Sequence, residues 1–254
     1  MKAFVINLKK REDRKKHIEE TYPNLPFIDM EIIQACDGKT PTNNTREMNI
    51  EIIQFIQLMK SKNNKFGWFK YGELGTFISH LSIWKKMINE NIEKALIMED
   101  DIMKFEDDFE PIIKEISLIE NDKFHIVWLN YQNSNHCNSP TNLGENIYYG
   151  KHNMGQGFLG AYGYILSLQG AKYLIQFIEK SFKNQTVYGL DRFMAHTLSN
   201  IDSHYTSKKL IHTPIWNVSS KSDSTDISST DVQIHNQNIK NITAYMNNIK
   251  SLLK

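Results

Sequence analysis

The stretch that decides the fold is Ala95-Leu96-Ile97-Met98, followed at once by Glu99-Asp100-Asp101. Four apolar residues in a row and then three acids indicate a buried strand whose end opens onto water. Alternate side chains of an extended chain point the same way, so Glu99 and Asp101 can share a face while Asp100 points elsewhere. Two carboxylates about 5 Å apart repel by roughly 3 kcal/mol at an effective dielectric of about 20. A divalent cation would relieve that repulsion, and a solvated acidic turn is the alternative interpretation.

The composition favours one folded α/β domain and argues against several other classes. The chain has 254 residues, with 30 Lys and Arg against 29 Asp and Glu, so no net field attracts nucleic acid. Two cysteines far apart in sequence, Cys36 and Cys137, fit a reducing compartment without a disulfide framework or a zinc site. The apolar start, residues 1–8, is too short for a signal peptide, and no run approaches the roughly 18 apolar residues of a membrane span. These features predict a soluble, cytoplasmic protein.

Predicted strands and helices alternate over the first half of the chain, which favours a parallel sheet flanked by helices. The clearest helix is 72–89, because its apolar residues recur at spacings of three and four. The predicted strands are 4–8, 28–34, 95–98, 124–129 and 159–168, and the other predicted helices are 9–18, 50–59, 170–180 and 239–254.

The remaining segments are predicted to be loops or a separate tail. Residues 61–65 and 133–146 are polar loops, and 219–231, nearly all Ser, Asp and Thr, is predicted to be mobile or ordered by a ligand. We expect one domain over 1–230 and a helical tail over 231–254. That tail either caps the domain or rests on a membrane surface.

Motifs for nucleophilic hydrolysis are absent from the sequence, and four polar residues each allow two interpretations. There is no Walker-type loop, no two-histidine helix signature and no Gly-x-Ser-x-Gly elbow. His80 either packs beside the apolar face of its helix or reaches the same cleft as the acids. Arg11 and Arg14 follow the first strand and either bind phosphate or form a solvated helix face. Asp191 is either a helix N-cap or a general base.

Further segments carry a resemblance when they are taken together and in order over residues 1–230. They are Val5-Ile6-Asn7-Leu8 with Arg11 and Arg14, Ala35-Cys36-Asp37-Gly38, Gly72-Glu73-Leu74-Gly75 with Ser79-His80 and Trp84, residues 95–101, Gly160-Ala161-Tyr162-Gly163-Tyr164-Ile165-Leu166-Ser167 with Gly170-Ala171, Asp191, and Pro214 with Ser224, Asp226 and Ile227. This set resembles the signature of glycosyltransferase family 25. The family includes bacterial lipooligosaccharide galactosyltransferases and relatives that modify collagen.

The resemblance implies a fold and an activity. The fold is a GT-A-type nucleotide-sugar-binding α/β domain with a mixed, mainly parallel central sheet flanked by helices. The activity is transfer of a hexose, most often galactose from UDP-galactose, with inversion onto a sugar hydroxyl of a bacterial lipooligosaccharide or related glycan. The acceptor is then an oligosaccharide or glycolipid, and the protein works in the cytoplasm, with peripheral contact to the inner membrane surface as a further option.

The resemblance also implies residue roles. Glu99, Asp100 and Asp101 stand where the family has an Asp-x-Asp motif and would hold Mn²⁺ or Mg²⁺, with Asp101 the ligand that we expect to contact the metal. Asp191 falls where the family carries an acid and is the candidate catalytic base. The implied donor-binding residues are Asn7, Arg11, Arg14, Asp37, Gly38, Ser79 and His80.

Three other functions remain open at the level of sequence. The same fold can use UDP-glucose or a UDP-N-acetyl-hexosamine, since a few pocket side chains decide between such sugars. A metal-dependent phosphohydrolase would need further ligands around a second metal, and the sequence shows no such cluster. A non-catalytic sugar-binding relative is the third alternative, and the acids at 99–101 and at Asp191 argue against it.

Overall fold

The structure, a computed structural model, describes residues 1–22, 25–37, 71–130, 139–149, 161–183, 190, 193, 194, 197 and 203–213. The strands in these ranges are β1 (Lys2–Asn7), β2 (Asp29–Gln34), β3 (Lys94–Glu99), β4 (Lys104–Phe105), β5 (Ile126–Trp128), β6 (Ser139–Pro140), β7 (Ile147–Tyr149), β8 (Gly163–Ser167), β9 (Ser203–Thr206) and β10 (Ile211–His212). The helices are α1 (Glu12–Thr21), α2 (Tyr71–Asn89), α3 (Phe109–Leu118) and α4 (Leu168–Lys183).

Eight of these strands form one mixed sheet in the order β2-β1-β3-β8-β5-β9-β7-β6, and β4 and β10 form a small antiparallel pair. The pairings β1–β2, β1–β3 and β5–β9 are parallel, whereas β8 and β7 run against their neighbours. Six strands therefore run in one direction and two in the other. The predicted α/β class, with a mixed and mainly parallel sheet flanked by helices, is confirmed.

The register of the first three strands brings their carboxyl ends to one edge of the sheet. Asn7 pairs with Gln34 across β1 and β2, and Ile6 pairs with Glu99 across β1 and β3. Residues that follow these strands therefore emerge side by side. Ligands of open α/β sheets bind at such an edge.

Strand β3 is buried on both of its faces. Its residues Ala95–Met98 are 0% exposed. Ala95 and Ile97 pack in the apolar cluster that contains α2, and Leu96 and Met98 pack in the cluster that contains α1 and α3. This two-sided burial explains why the strand reads as a continuous apolar run rather than an alternating one. It also places the following acids at the end of a strand that is covered on both faces.

The structure contains elements that the sequence did not predict, among them the strands β4, β7, β9 and β10. Helix α3 was not predicted, although Phe109, Ile112, Ile113 and Ile116 have helical spacing and are all buried. Pro111 lies in its first turn, where a missing backbone N–H costs little. The predicted loop 133–146 is wrong over residues 139–140, which form β6 and pair with β7.

Several predictions fall on residues outside the described ranges. These are the helices 50–59 and 239–254, the segments 61–65 and 219–231, and the boundary near residue 230. Among the helices of the described part of the chain, none is both long and apolar enough to cross a membrane.

Candidate active site

The candidate site lies where β1, β2 and β3 end, and three acids occupy its centre. Glu99 is the last residue of β3, and Asp100 and Asp101 form the turn that follows. Because the strand stops at Glu99, the alternation of an extended chain does not continue to Asp101. Each of the three carboxylates has its own surroundings.

Asp100 is held by donors from β1 and α1. Its Oδ2 accepts a hydrogen bond from Asn7 Nδ2 at 2.7 Å, and its Oδ1 accepts one from Arg14 Nη1 at 2.8 Å. The Asp100 and Arg14 side chains are only 9% and 13% exposed. Asn7 Nδ2 also donates to the carbonyl of Arg11 at 3.1 Å. Both oxygens of Asp100 therefore have protein partners, and they tie the β1–α1 connection to the end of β3.

Glu99 faces the opposite side of the sheet, toward α2. Its Oε1 lies 3.2 Å from His80 Nε2, and 21% of its side chain is exposed. Burial raises the pKa of Glu99 to about 7, the negative charge of Asp100 adds to the rise, and the Arg14 guanidinium opposes it. The carboxylate therefore loses solvation without gaining a full countercharge from the protein.

Asp101 differs from Glu99 and Asp100 in its hydrogen bonding. Its Oδ1 is buried and has no hydrogen-bond donor among the described residues. Burial raises the pKa of Asp101 to about 7, and the charges of Glu99 and Asp100 raise it further while Arg14 lowers it. A buried carboxylate oxygen without a donor is costly. Of the three acids, Asp101 would therefore be stabilised most by a bound cation.

His80 and two aromatic residues form the inner wall beside Glu99. His80 is 0% exposed, and its Nδ1 lies 2.7 Å from the hydroxyl of Tyr164, which also accepts a hydrogen bond from Trp84 Nε1 at 3.0 Å. The sequence placed Trp84 in the apolar stripe of its helix and Tyr164 in a strand, and both in the family resemblance, but it indicated no polar role for either. Their polar ends gave no signal, because the partners lie 80 or more residues apart in the chain.

The other predicted site residues surround this centre in different ways. Ser79 is 2% exposed, and its Oγ accepts from the backbone N–H of Cys36 at 2.8 Å and donates to the carbonyl of Gly75 at 2.7 Å. Asp37 pairs with Lys10 at 3.1 Å, just beyond the end of β2.

Arg11 precedes α1 and pairs with Asp13 at 2.8 Å. Gly38 and Asp191 lie outside the described residues. The structure thus brings Asn7, Arg14 and His80 together with the three acids.

The donor set fits a hard divalent cation that is shared with a ligand. Mn²⁺ and Mg²⁺ prefer oxygen ligands, and Mg²⁺ is usually bound by one or two carboxylates together with substrate phosphates. Within the described ranges, no group of three or more His, Cys, Asp or Glu side chains is arranged to hold a metal ion. Glu99 and Asp101 therefore suit a cation whose remaining ligands come from a phosphate-bearing molecule.

A mixed sheet with carboxylates at the carboxyl edge of its parallel strands is typical of α/β proteins that bind a ligand at that edge. Comparison with known protein families identifies the family to which the chain belongs. The chain belongs to glycosyltransferase family 25, since the family described as "Glycosyltransferase family 25 (LPS biosynthesis protein)" matches residues 1–194. The predicted family is confirmed.

The chain is similar to curated proteins of animals over part of their length. It is 35% identical to human procollagen galactosyltransferase 2 over 127 residues, which is 49% of this chain and 19% of that protein. It is 26% identical to procollagen galactosyltransferase 1-B of Xenopus laevis over 220 residues, 82% of this chain and 33% of that protein. The chain thus spans between a fifth and a third of these relatives.

Among solved structures, mouse xyloside xylosyltransferase 1 in its apo form aligns with 78% of this chain and 68% of that chain. The TM-score is 0.38 and the sequence identity 9%. A TM-score of this size does not establish a shared fold.

Proposed function

We propose that this protein is a metal-dependent glycosyltransferase of the GT-A type that transfers galactose from UDP-galactose, with inversion, onto a sugar hydroxyl. Membership of glycosyltransferase family 25 and the procollagen galactosyltransferase names of its relatives support the reaction and the sugar. The family description supports a lipooligosaccharide or related bacterial glycan as the acceptor. With such an acceptor, the proposed site of action is the cytoplasm, at the inner surface of the membrane.

The buried Oδ1 of Asp101, which has no donor in the part of the chain that the structure describes, is the observation that carries this proposal. In the proposed site, Asp101 and Glu99 hold Mn²⁺ or Mg²⁺, while Asp100 is committed to Asn7 and Arg14. A cation bound there would neutralise the negative charge that develops on the leaving diphosphate. The three acids therefore divide into two ligands and one structural anchor.

Arg14 and Arg11 are proposed to act differently on the donor. Arg14 keeps its ion pair with Asp100 and contributes a positive potential beside Glu99 and Asp101. Arg11 pairs with Asp13, whose side chain is 65% exposed, and such an exposed pair contributes at most about 1 kcal/mol. A phosphate of the donor can therefore replace Asp13 as the partner of Arg11 at little cost.

Inversion in a single displacement requires a base that takes the proton of the acceptor hydroxyl. Asp191 is proposed for this role because it falls where the family carries an acid. A positioned base contributes typically about 10²–10⁴-fold to the rate. Of the remaining proposed donor-binding residues, Asp37 lies just beyond the end of β2 and Ser79 lies on α2, whereas Gly38 follows Asp37 in the sequence.

The proposal is tested by screening UDP-galactose, UDP-glucose and UDP-N-acetyl-hexosamines for Mn²⁺-dependent hydrolysis and for thermal stabilisation. A ligand at about 100 times its Kd adds about 2.7 kcal/mol of stability, which a thermal shift detects. We expect UDP-galactose to be hydrolysed, and Asp101→Ala to abolish this activity while the protein stays folded.

Asp122→Ala is the matched control, since this acid is 63% exposed and lies outside the site. Activity that survives in folded Asp101→Ala would refute the metal assignment. Preference for another UDP-sugar would refute the galactose assignment alone, and stabilisation without turnover would indicate a non-catalytic relative.

A further inference from the structure

A chain of hydrogen bonds runs from the buried middle of helix α2 to the acidic end of β3. Trp84 Nε1 donates to the Tyr164 hydroxyl at 3.0 Å, that hydroxyl lies 2.7 Å from His80 Nδ1, and His80 Nε2 lies 3.2 Å from Glu99 Oε1. Trp84, Tyr164 and His80 are each 0% exposed, whereas Glu99 is partly open to solvent. We refer to these four side chains as the relay.

The secondary structure places the relay residues together. Trp84 follows His80 by four residues on α2, so both lie on one face of the helix. Tyr164 of β8 pairs with Ile97 of β3, which shares a sheet face with Glu99 two residues on. The rings of His80 and Tyr164 are stacked, with centroids 5.7 Å apart. His80 therefore has little freedom to turn away from Glu99.

The direction of the relay follows from the chemistry of its donors. An indole N–H can only donate, so the Tyr164 oxygen accepts from Trp84. Burial raises the pKa of Tyr164 well above its ordinary value, so the hydroxyl keeps its proton. That proton has an acceptor if it points to His80 Nδ1, which leaves the imidazole proton on Nε2. The Nε2 proton then faces Glu99 Oε1, where a bare nitrogen lone pair would repel the carboxylate.

We propose that Trp84 and Tyr164 are positioning residues that act through His80 to fix the Glu99 carboxylate for cation binding. The relay holds one oxygen of Glu99 by a donor of fixed direction. Its second oxygen would then be offered to the proposed cation in one orientation. This inference rests on the proposed function, because it assigns a task to the relay within that site. Partners that orient a metal ligand in this way affect metal affinity by about 10–100-fold.

The test measures Mn²⁺ binding by electron paramagnetic resonance in the presence of saturating UDP. Tyr164→Phe removes only the hydroxyl, and we expect Mn²⁺ affinity to fall by about tenfold, the lower end of that range. His80→Gln keeps an amide donor for Glu99 and should lose less affinity than His80→Leu. A larger loss for the glutamine variant would contradict the assigned role of the His80 donor.

Ser203→Ala is the matched control for Tyr164→Phe. It also removes a buried hydroxyl that accepts an indole N–H, in this case that of Trp128 at 3.3 Å. A general loss of core hydrogen bonding would weaken Mn²⁺ binding in both variants, whereas the relay predicts a loss in Tyr164→Phe alone. Unchanged affinity in Tyr164→Phe, or an equal loss in Ser203→Ala, would overturn the inference.

A second measurement, on the imidazole nitrogens, does not depend on the metal. The ¹⁵N chemical shifts of His80, assigned by comparison with His80→Gln, should show a protonated Nε2 and an unprotonated Nδ1. A proton on Nδ1 would overturn the relay. A wild-type protein that binds no Mn²⁺ with UDP would overturn the proposed function and the role of the relay with it. Failure of the relay alone leaves Mn²⁺ binding by the wild type intact and appears in the results for the variants or in the ¹⁵N shifts, so the two failures are distinguishable.

Discussion

Replacing Asp101 by asparagine is expected to stabilise the protein when divalent cations are removed. The wild-type protein holds this partly buried carboxylate near the charge of Glu99, and its buried Oδ1 has no donor within the described ranges. The asparagine amide has nearly the same shape and carries no charge. The substitution therefore removes both the desolvation of a charge and the repulsion from Glu99, and it also removes a proposed cation ligand.

The magnitude follows from the difference between the folded and unfolded pKa values of Asp101. The pKa rises from an ordinary value of 3.8 to about 7 in the folded protein. At about 1.4 kcal/mol per pKa unit, ionisation of this group then costs the folded state at most about 4 kcal/mol at pH 8. Burying the asparagine amide costs the variant about 1–3 kcal/mol, which offsets part of this gain in stability. A net gain of about 2 kcal/mol corresponds to about 4–8 °C in Tm for a domain of this size.

The sign of the pH dependence distinguishes this reasoning from a general packing effect. An acid whose folded pKa is raised favours the folded state while it is protonated, and that contribution is lost as the pH rises from about 4 through about 7. The Tm advantage of Asp101→Asn should therefore be largest above pH 7 and disappear as the pH falls. At low pH the wild type should become the more stable protein, because only the cost of burying the amide then remains.

Thermal unfolding in chelator between pH 5 and pH 8.5 checks this prediction, with Asp122→Asn as the exposed control. Adding Mn²⁺ and UDP should reverse the order of the two proteins, because only the wild type gains stability by binding them. An Asp101→Asn variant no more stable than the wild type in chelator at pH 8 would refute the reasoning.

Three further substitutions test other parts of the structure. Arg14→Ala leaves buried Asp100 without its charged partner, so urea unfolding should show a free energy of unfolding lower by about 3–5 kcal/mol. Adding Asp100→Ala to this variant should restore part of the loss. An Arg14→Ala variant as stable as the wild type would contradict a buried ion pair. Gly170→Ala would put a Cβ 2.4 Å from the carbonyl oxygen of His125, and a loss of about 1–3 kcal/mol should lower its Tm. Asp191→Asn should bind UDP normally in calorimetry yet fail to transfer sugar, and normal turnover would place the base elsewhere.

The elements that position the site could be predicted from sequence because each has a strong local pattern. The apolar run Ala95–Met98 lies within β3, and the periodic segment 72–89 corresponds to α2. Helix α3 shows that a pattern can be present and still be missed among neighbouring acids and a proline. Strands as short as β6 and β10, of two residues each, have no periodicity to detect and exist only through their partners.

The three acids could be identified from sequence as a group, but their separate tasks could not. The donors that occupy Asp100, namely Asn7 and Arg14, lie 93 and 86 residues away in the chain. No local rule states which of three consecutive carboxylates such distant donors will reach. The role of His80 could not be predicted either, because the surrounding sequence allowed it to pack beside its helix or to reach the cleft. In the structure it is fully buried and also contacts Glu99, so the two interpretations are compatible.

The charge of the site determines the order in which its ligands can bind. Glu99, Asp100 and Asp101 carry three negative charges when ionised, and Arg14 compensates one of them, which leaves two on Glu99 and Asp101. A diphosphate approaching that edge alone meets like charge at short range, where each pair of unit charges about 5 Å apart costs roughly 3 kcal/mol at a dielectric of about 20. In the proposed site, a divalent cation would cancel the two remaining charges, and the same edge would then bind a phosphate instead of repelling it. UDP binding measured by calorimetry should therefore be lost in chelator and restored by Mn²⁺. Equal UDP affinity in both conditions would mean that Arg11 and its neighbours bind the diphosphate without help from the acids.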